Sequence, residues 1–226
     1  MAEPSSKTIV VVTGGDPVAP AALDAVPVGA LVVAADSGVD HALALGLAIH
    51  TAVGDFDSVT PEGLARAEAA GAVVTHHPRA KDATDLELAL DTALELGADR
   101  IVVLGGHGGR LDHLLANALL LASPRYADVE VVAEMGGARV TVVRARAVLR
   151  GDAGDLVSLL PAHGPARGVR TEGLRFPLAD EDLPPGTSRG VSNQLEAAEA
   201  VVTLREGTIL AIQAGTAGTD PPRTTS

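Results

Sequence analysis

Short, almost wholly apolar runs alternate with amphipathic helical patterns down to about residue 135, and this alternation constrains the fold more than any other feature of the chain. The runs are Ile9–Thr13, Leu31–Ala35, Ala52–Gly54, Ala72–Thr75, Ile101–Leu104 and Val129–Ala133. Between them, Ala19–Ala25, Gly38–Leu45, Pro61–Ala70, Asp85–Leu96 and Leu111–Leu121 repeat their apolar positions at helical spacing. Gly46, Gly71 and Gly97 stand where helix-ending glycines belong. Thr60-Pro61 reads as an N-cap with a first-turn proline, and Thr84 with Glu87 as a capping box. A strand with no polar alternation has no face for water, so the pattern predicts a parallel sheet covered on both faces by helices.

The texture changes near Gly136. Arg139–Val143, Ala147–Leu149, Leu156–Leu160, Gly168–Thr171, Val201–Arg205 and Thr208–Ile212 read as strands, separated by Gly, Pro and Asp with no long helical pattern. Glu206-Gly207 reads as a hairpin turn. The expected organisation is an α/β domain over residues 7–137, a small antiparallel β domain over 138–214, and a disordered tail rich in Gly, Pro and Thr over 215–226.

Composition narrows the partners. The net charge is −12 and the isoelectric point about 4.9, which argues against nucleic acid and against electrostatic attachment to an anionic membrane. There is no cysteine, so thiolate metal sites and thiol nucleophiles are excluded. No leader pattern and no apolar stretch of ~18 residues is read, so the expectation is a soluble cytoplasmic protein. Trp is absent, and Tyr126, Phe56 and Phe176 supply the only Phe or Tyr rings.

Ligands of an open parallel sheet sit beyond the carboxyl ends of its strands. Those ends carry Ala35-Asp36-Ser37-Gly38, Gly54-Asp55-Phe56-Asp57-Ser58, the segment His76 to Asp85, and Gly105-Gly106-His107-Gly108-Gly109-Arg110. Asp55 and Asp57 share a face if that segment is extended. Paired carboxylates repel unless a cation lies between them, and hard oxygen donors suit Mg²⁺, so Asp36, Asp55, Asp57 and Asp85 are the expected metal ligands. Lys81 is expected to meet a phosphate, with Asp82 or Asp85 joining the metal site. The Gly105 to Gly109 loop offers backbone N–H groups at a helix start, and Arg110 adds a donor fork suited to phosphate oxygens. The loop has neither the P-loop nor the dinucleotide-binding glycine spacing. Asp112 has three open roles: orienting Arg110, binding a ribose or assisting the metal. His113 reads as a satisfied polar residue at the helix start, and His76 and His77 as exposed loop residues.

Taken together, ADSG at 35–38, VGDFDS at 53–58, KDATDLELAL at 81–90, GGRLDHLLAN at 108–117 and VSNQL at 191–195 resemble, in order and spacing, the signature blocks of thiamine pyrophosphokinases. The resemblance implies an N-terminal α/β domain, a C-terminal β-sandwich-like domain, and a homodimer with active sites between the α/β domain of one subunit and the β domain of the other. It implies Mg²⁺-dependent transfer of pyrophosphate from ATP to thiamine, releasing AMP. Asp55, Asp57, Asp85 and Arg110 would be catalytic. Lys81, Asp82, Thr84, Gly105, Gly108, Gly109, Arg110, Asp112 and Asn117 would hold the nucleotide, and Asp36, Ser192 and Asn193 the acceptor. The block after the second strand reads Ala-Asp-Ser-Gly-Val-Asp over 35–40 where the family usually shows Ala-Asp-Gly-Gly-Ala-Asn, and Ser37 and Asp40 are expected to change contacts there. With so few rings, thiamine is expected to rest largely on aliphatic side chains. A hydroxymethyl pterin is the rival acceptor. A nucleotide-sensing module without turnover and a metal-dependent phosphohydrolase are rivals of other classes.

Overall fold

The computed structural model describes residues 6–78 and 82–214. They fall into two compact units that divide between Gly136 and Gly137.

The first unit is a six-stranded, wholly parallel sheet. Its strands are β1 (Thr8–Val12), β2 (Leu31–Ala35), β3 (Thr51–Gly54), β4 (Val73–His76), β5 (Arg100–Leu104) and β6 (Glu130–Met135), in the order β4-β3-β2-β1-β5-β6. The chain winds outward from β1 to β4, then crosses back to place β5 against the free side of β1. One face packs Val10, Val12, Val32, Ala34, Val102 and Leu104 against Val39 and Ala42 of α1 (Gly38–Ala44) and Ala67 of α2 (Pro61–Ala69). The alternate positions Ile9, Val11, Val33, Ile101 and Val103 are fully buried as well. Crossovers between parallel strands are right-handed, so reversing the winding sends the next helix to the other face. That helix is α3 (Asp85–Glu95), which packs along β1, β2 and β3 and buries Leu86, Ala89, Leu90 and Ala93. The caps form as the residues dictate: Thr60 accepts from the Gly63 N–H at 3.0 Å and Thr84 from the Glu87 N–H at 3.2 Å.

Three expectations are corrected here. Strand β4 is not covered on both faces; it is the sheet edge, with Val73 58% exposed. His76 is not a loop residue but the last residue of β4, its ring edge-on to Phe56 at 4.9 Å. Pro20–Ala25 forms a 3₁₀ stretch with no buried residue, in place of an α-helix. Helix α4 (Leu111–Leu121) buries only Asn117 and Leu121 and leaves Leu111, Leu115 and Leu119 67%, 56% and 48% exposed. No helix among the described residues is long and apolar enough to cross a membrane.

The second unit is antiparallel. Its strands are β7 (Ala138–Val143), β8 (Arg146–Arg150), β9 (Leu156–Glu172), β10 (Ala179–Leu183), β11 (Asn193–Gln194), β12 (Glu199–Thr203) and β13 (Glu206–Ala214). Two expected strands, Leu156–Leu160 and Gly168–Thr171, are one strand of 17 residues, β9. Val157 to Ala162 pair with β13, whose ladder slips register before its last partner Arg167, and Arg170 to Glu172 pair with β12. Pro161, Gly164 and Pro165 therefore mark a bend within a strand; they do not end it. The expected hairpin at Glu206-Gly207 does not form, because β12 pairs with β8 and β9 whereas β13 pairs with β7 and β9. The ladders close over Val157, Leu159, Val169, Leu183, Val202 and Ile209. Strands β10 and β11 were not legible, the first being the acidic run ADEDL and the second two residues long.

Candidate active site

The strand ends of the first unit surround a cavity of about 630 Å³, within the range that holds small ligands. It opens where the winding reverses, between the segments that follow β1 and β5. Its lining includes Asp36, Asp55, Asp57, Thr84, Asp85, Gly108, Gly109, Arg110 and Asn117. Asp82, Gly105 and Asp112 lie outside that lining, and Lys81 lies outside the described residues.

Asp36, Asp55 and Asp57 present carboxylate oxygens that all lie within 4.8 Å of one another. Their convergence does not come from an extended segment, as the spacing suggested. Phe56 takes a left-handed conformation, φ 57°, and turns the chain between the two aspartates. For a bulky residue this conformation costs about 1–3 kcal/mol, and such strain gathers at functional sites. Asp36 is left-handed too, φ 45°. Gly54 provides the close approach: a Cβ there would meet the Asp36 backbone nitrogen and Asp85 Oδ1, each at 3.2 Å. Asp85 thus comes to the same cluster from the first turn of α3.

Burial, first, pushes the Asp36 carboxyl above its ordinary 3.8. Hydrogen bonds from the Ser37 and Ser58 backbones oppose the rise, and the Asp85 and Asp57 charges add to it. A set of carboxylates this close together, with oxygen-only donors, fits a hard divalent cation.

On the opposite wall, two glycine loops interlock. Gly106 N–H donates to Gly14 O at 3.0 Å, and Asp16 N–H to His107 O at 2.7 Å. A Cβ on Gly15, φ 120°, would sit 1.9 Å from that same carbonyl, so only glycine fits. Buried Asn117 donates from Nδ2 to Gly106 O at 2.9 Å and so shapes the loop from below. Arg110 pairs with Asp112 through Nη2 at 2.7 Å and Nε at 3.3 Å, which holds Asp112 below the usual carboxylate range. Among the three roles left open for Asp112, this pairing is the contact that the orienting role needs. Both side chains are exposed, 69% and 66%, so the guanidinium is oriented yet accessible.

Thr13, Gly14, Gly15, Asp16, Ser37, Ser58, His107 and His113 also line the cavity. The first four were not anticipated; the signal was a glycine pair directly after the first apolar strand. His113, read as a satisfied helix-start residue, is an exposed member of the wall. Ser37 and Asp40, in the block after β2, have structural uses. Ser37 Oγ fills the space beside Gly14, and Asp40 accepts from Thr60 N–H and Oγ1–H at 2.8 and 2.6 Å, tying α1 to the start of α2.

Ser192 and Asn193 belong to the second unit. Ser192 is left-handed, φ 57°, with its N–H on Ser158 Oγ at 3.2 Å. Asn193 is 3% exposed and grips the Phe176 backbone, accepting from its N–H at 3.0 Å and donating to its carbonyl at 2.7 Å.

Comparison with known proteins agrees with this architecture. Residues 28–133 match the family model described as thiamin pyrophosphokinase, catalytic domain, and residues 146–209 the one described as thiamin pyrophosphokinase, vitamin B1 binding domain. A thiamine pyrophosphokinase of Bacillus subtilis is 27% identical over 180 residues, covering 79% of this chain and 84% of the relative. The crystal structure of the Bacillus subtilis thiamine pyrophosphokinase superposes with a TM-score of 0.81 at 26% identity, covering 93% of this chain and 100% of that one. The Geobacillus thermodenitrificans thiamin pyrophosphokinase gives 0.77 at 28% identity, over 93% and 99%. Two family models in sequence order, over a parallel sheet whose switch point gathers carboxylates and glycine loops, establish that the chain belongs to the thiamin pyrophosphokinase family.

Proposed function

We propose that the protein transfers pyrophosphate from ATP to the hydroxyl of thiamine, giving thiamine diphosphate and AMP, with Mg²⁺ as the metal. The observation that carries this reading is the meeting of Asp36, Asp55 and Asp57 within 4.8 Å in a cavity whose other wall is glycine loops and Arg110. One side suits a cation and the other suits phosphates. The bacterial relatives and their printed names support the acceptor.

In this reading Asp36, Asp55, Asp57 and Asp85 hold the magnesium, directly or through water. A divalent ion held there would supply neutralisation of the negative charge that grows on the phosphates. Arg110, steered by Asp112, grips the phosphates, and the interlocked glycine loops present backbone N–H groups to them. Lys81, Asp82, Thr84, Gly105, Gly108, Gly109 and Asn117 complete the nucleotide side. The acceptor hydroxyl oxygen attacks the β-phosphorus in line, the α–β bridge breaks, and AMP leaves. The hydroxyl proton passes to one of the aspartates. The second unit holds the acceptor through the Ser192-Asn193 region, and two copies associate as a homodimer. The exposed leucines of α4 support that association. The use of ATP as co-substrate supports a cytoplasmic setting.

The test is AMP release from ATP and thiamine with and without Mg²⁺. Turnover is expected only with both, and Asp55→Asn or Asp57→Asn should abolish it while the thermal transition survives. Near-wild-type rates for either variant in saturating Mg²⁺ would remove that aspartate from the metal site.

A further inference from the structure

Five aspartates line the cavity. Asp36, Asp55, Asp57 and Asp85 stand on the cation side. The fifth, Asp16, stands on the opposite wall, in the glycine loop that follows β1. It is not one of the three whose oxygens meet within 4.8 Å. Its side chain has no hydrogen-bond or ion-pair partner among the described residues.

The position of Asp16 is built. Its N–H donates to His107 O at 2.7 Å. Gly15 before it, at φ 120°, leaves no room for a Cβ. Pro17 after it disfavours helical backbone at Asp16. The carboxylate lies over the second glycine loop, with Oδ1 3.5 Å from where a Cβ on Gly108 would stand. A side chain on a backbone held at both ends has little freedom left to lose on binding.

An anion on the wall that offers N–H groups and a guanidinium to phosphates repels any phosphate laid against it. The part of the ligand that meets Asp16 must therefore carry hydrogen-bond donors and no negative charge. In a nucleoside triphosphate, the donors covalently nearest the phosphates are the ribose hydroxyls. Two neighbouring hydroxyls match the two oxygens of one carboxylate, and an ionised acceptor makes the stronger kind of hydrogen bond. Asp112, the other carboxylate beside these loops, lies outside the cavity lining and is engaged by Arg110. We propose that Asp16 accepts hydrogen bonds from the ribose 2′- and 3′-hydroxyls of the nucleotide and thereby selects ribonucleotides over deoxyribonucleotides. The proposal rests on the ATP reading above.

The experiment titrates ATP, 2′-deoxy-ATP and 3′-deoxy-ATP with Mg²⁺ into wild type, Asp16→Ala and Asp16→Asn by calorimetry without thiamine, and follows AMP release with it. Wild type should bind each deoxy analogue about tenfold more weakly than ATP, the loss of one hydrogen bond to a charged group. Asp16→Ala should bind ATP about as weakly as wild type binds the analogues, and all three nucleotides alike to within about twofold. Asp16→Asn keeps an acceptor oxygen and should keep part of the preference. Asp16 is exposed, so the thermal transition, the thiamine KM and the half-saturating Mg²⁺ should stay near wild type. Tighter ATP binding by Asp16→Ala would reduce Asp16 to a charge that repels phosphate and overturn the assignment. An equal preference for ATP in wild type and Asp16→Ala would overturn it too, as would a rise in the thiamine KM with ATP binding unchanged. Wild type that prefers ATP in calorimetry yet forms no AMP from thiamine would sink the acceptor reading and leave Asp16 in place, whereas no ATP binding at all would sink both.

Discussion

Asp36→Asn should stabilise the metal-free protein while destroying its response to Mg²⁺. The wild-type carboxylate is partly buried and shares a space of 4.8 Å with Asp55 and Asp57. Two unit charges at that distance repel by ~0.9 kcal/mol in a water-like dielectric and by ~3.5 kcal/mol at an effective dielectric of ~20. Asp57 is exposed, so the screened end applies, and removing the Asp36 charge should relieve about 1 kcal/mol in all. Asparagine keeps an oxygen for the Ser58 N–H, 3.5 Å from Asp36 Oδ1, and tolerates φ 45°. In EDTA at neutral pH the transition should therefore rise by about 2–4 °C, the shift for ~1 kcal/mol in a domain of this size. The pH dependence has a definite sign. A carboxyl held above 3.8 contributes its stability below that value and loses it as pH rises through the folded value, so the variant's advantage should shrink towards zero as the pH falls towards 4. A ligand at a hundred times its dissociation constant adds about 2.7 kcal/mol, so Mg²⁺ should raise the wild type past the variant. Differential scanning calorimetry with and without Mg²⁺ reads both effects. A variant that melts lower in EDTA, or gains as much from Mg²⁺ as wild type, would refute the shared-cation geometry.

Two further outcomes are expected. Arg110→Ala should raise the ATP KM about 10–100-fold, the loss of a charge-assisted contact, and Arg110→Lys should not restore it because a fork is needed. Since the Arg110–Asp112 pair is exposed, the transition should move little, and an unchanged ATP KM would take Arg110 off the phosphates. Leu115→Glu places a charge in the middle of the exposed α4 stripe and should shift the proposed dimer towards monomer in sedimentation velocity; a variant that sediments as wild type does would take α4 out of the proposed association.

The sequence by itself determined the first unit almost completely. Apolar runs without alternation, spaced by helical patterns, point to parallel strands covered by helices, which holds for every strand but the edge strand β4, and Thr60, Thr84 and the glycines after α1, α2 and α3 mark the ends from local hydrogen-bonding needs alone. It also put Asp36, Asp55, Asp57 and Asp85 at one edge, because carboxylates after successive strands of one parallel sheet share an edge, and three of them, Asp36, Asp55 and Asp57, meet within 4.8 Å. What it could not supply is anything set by partners distant in the chain. The continuity of β9 through Pro161 and Gly164 follows from having β13 and then β12 alongside, and β4 is exposed because no strand follows it at the sheet edge. Asp55 and Asp57 converge through the left-handed turn at Phe56, with the open space over Gly54 admitting Asp36 and Asp85. The glycine loop after β1 became part of the site only when β5 was laid beside β1 and the two loops exchanged hydrogen bonds. Phe176 faces outward because Asn193, 17 residues later, takes its backbone bonds. Local pattern fixes which elements form, since propensity and capping act within a few residues. Tertiary contacts fix where side chains finally point, since that depends on which backbone groups and neighbours are left to satisfy.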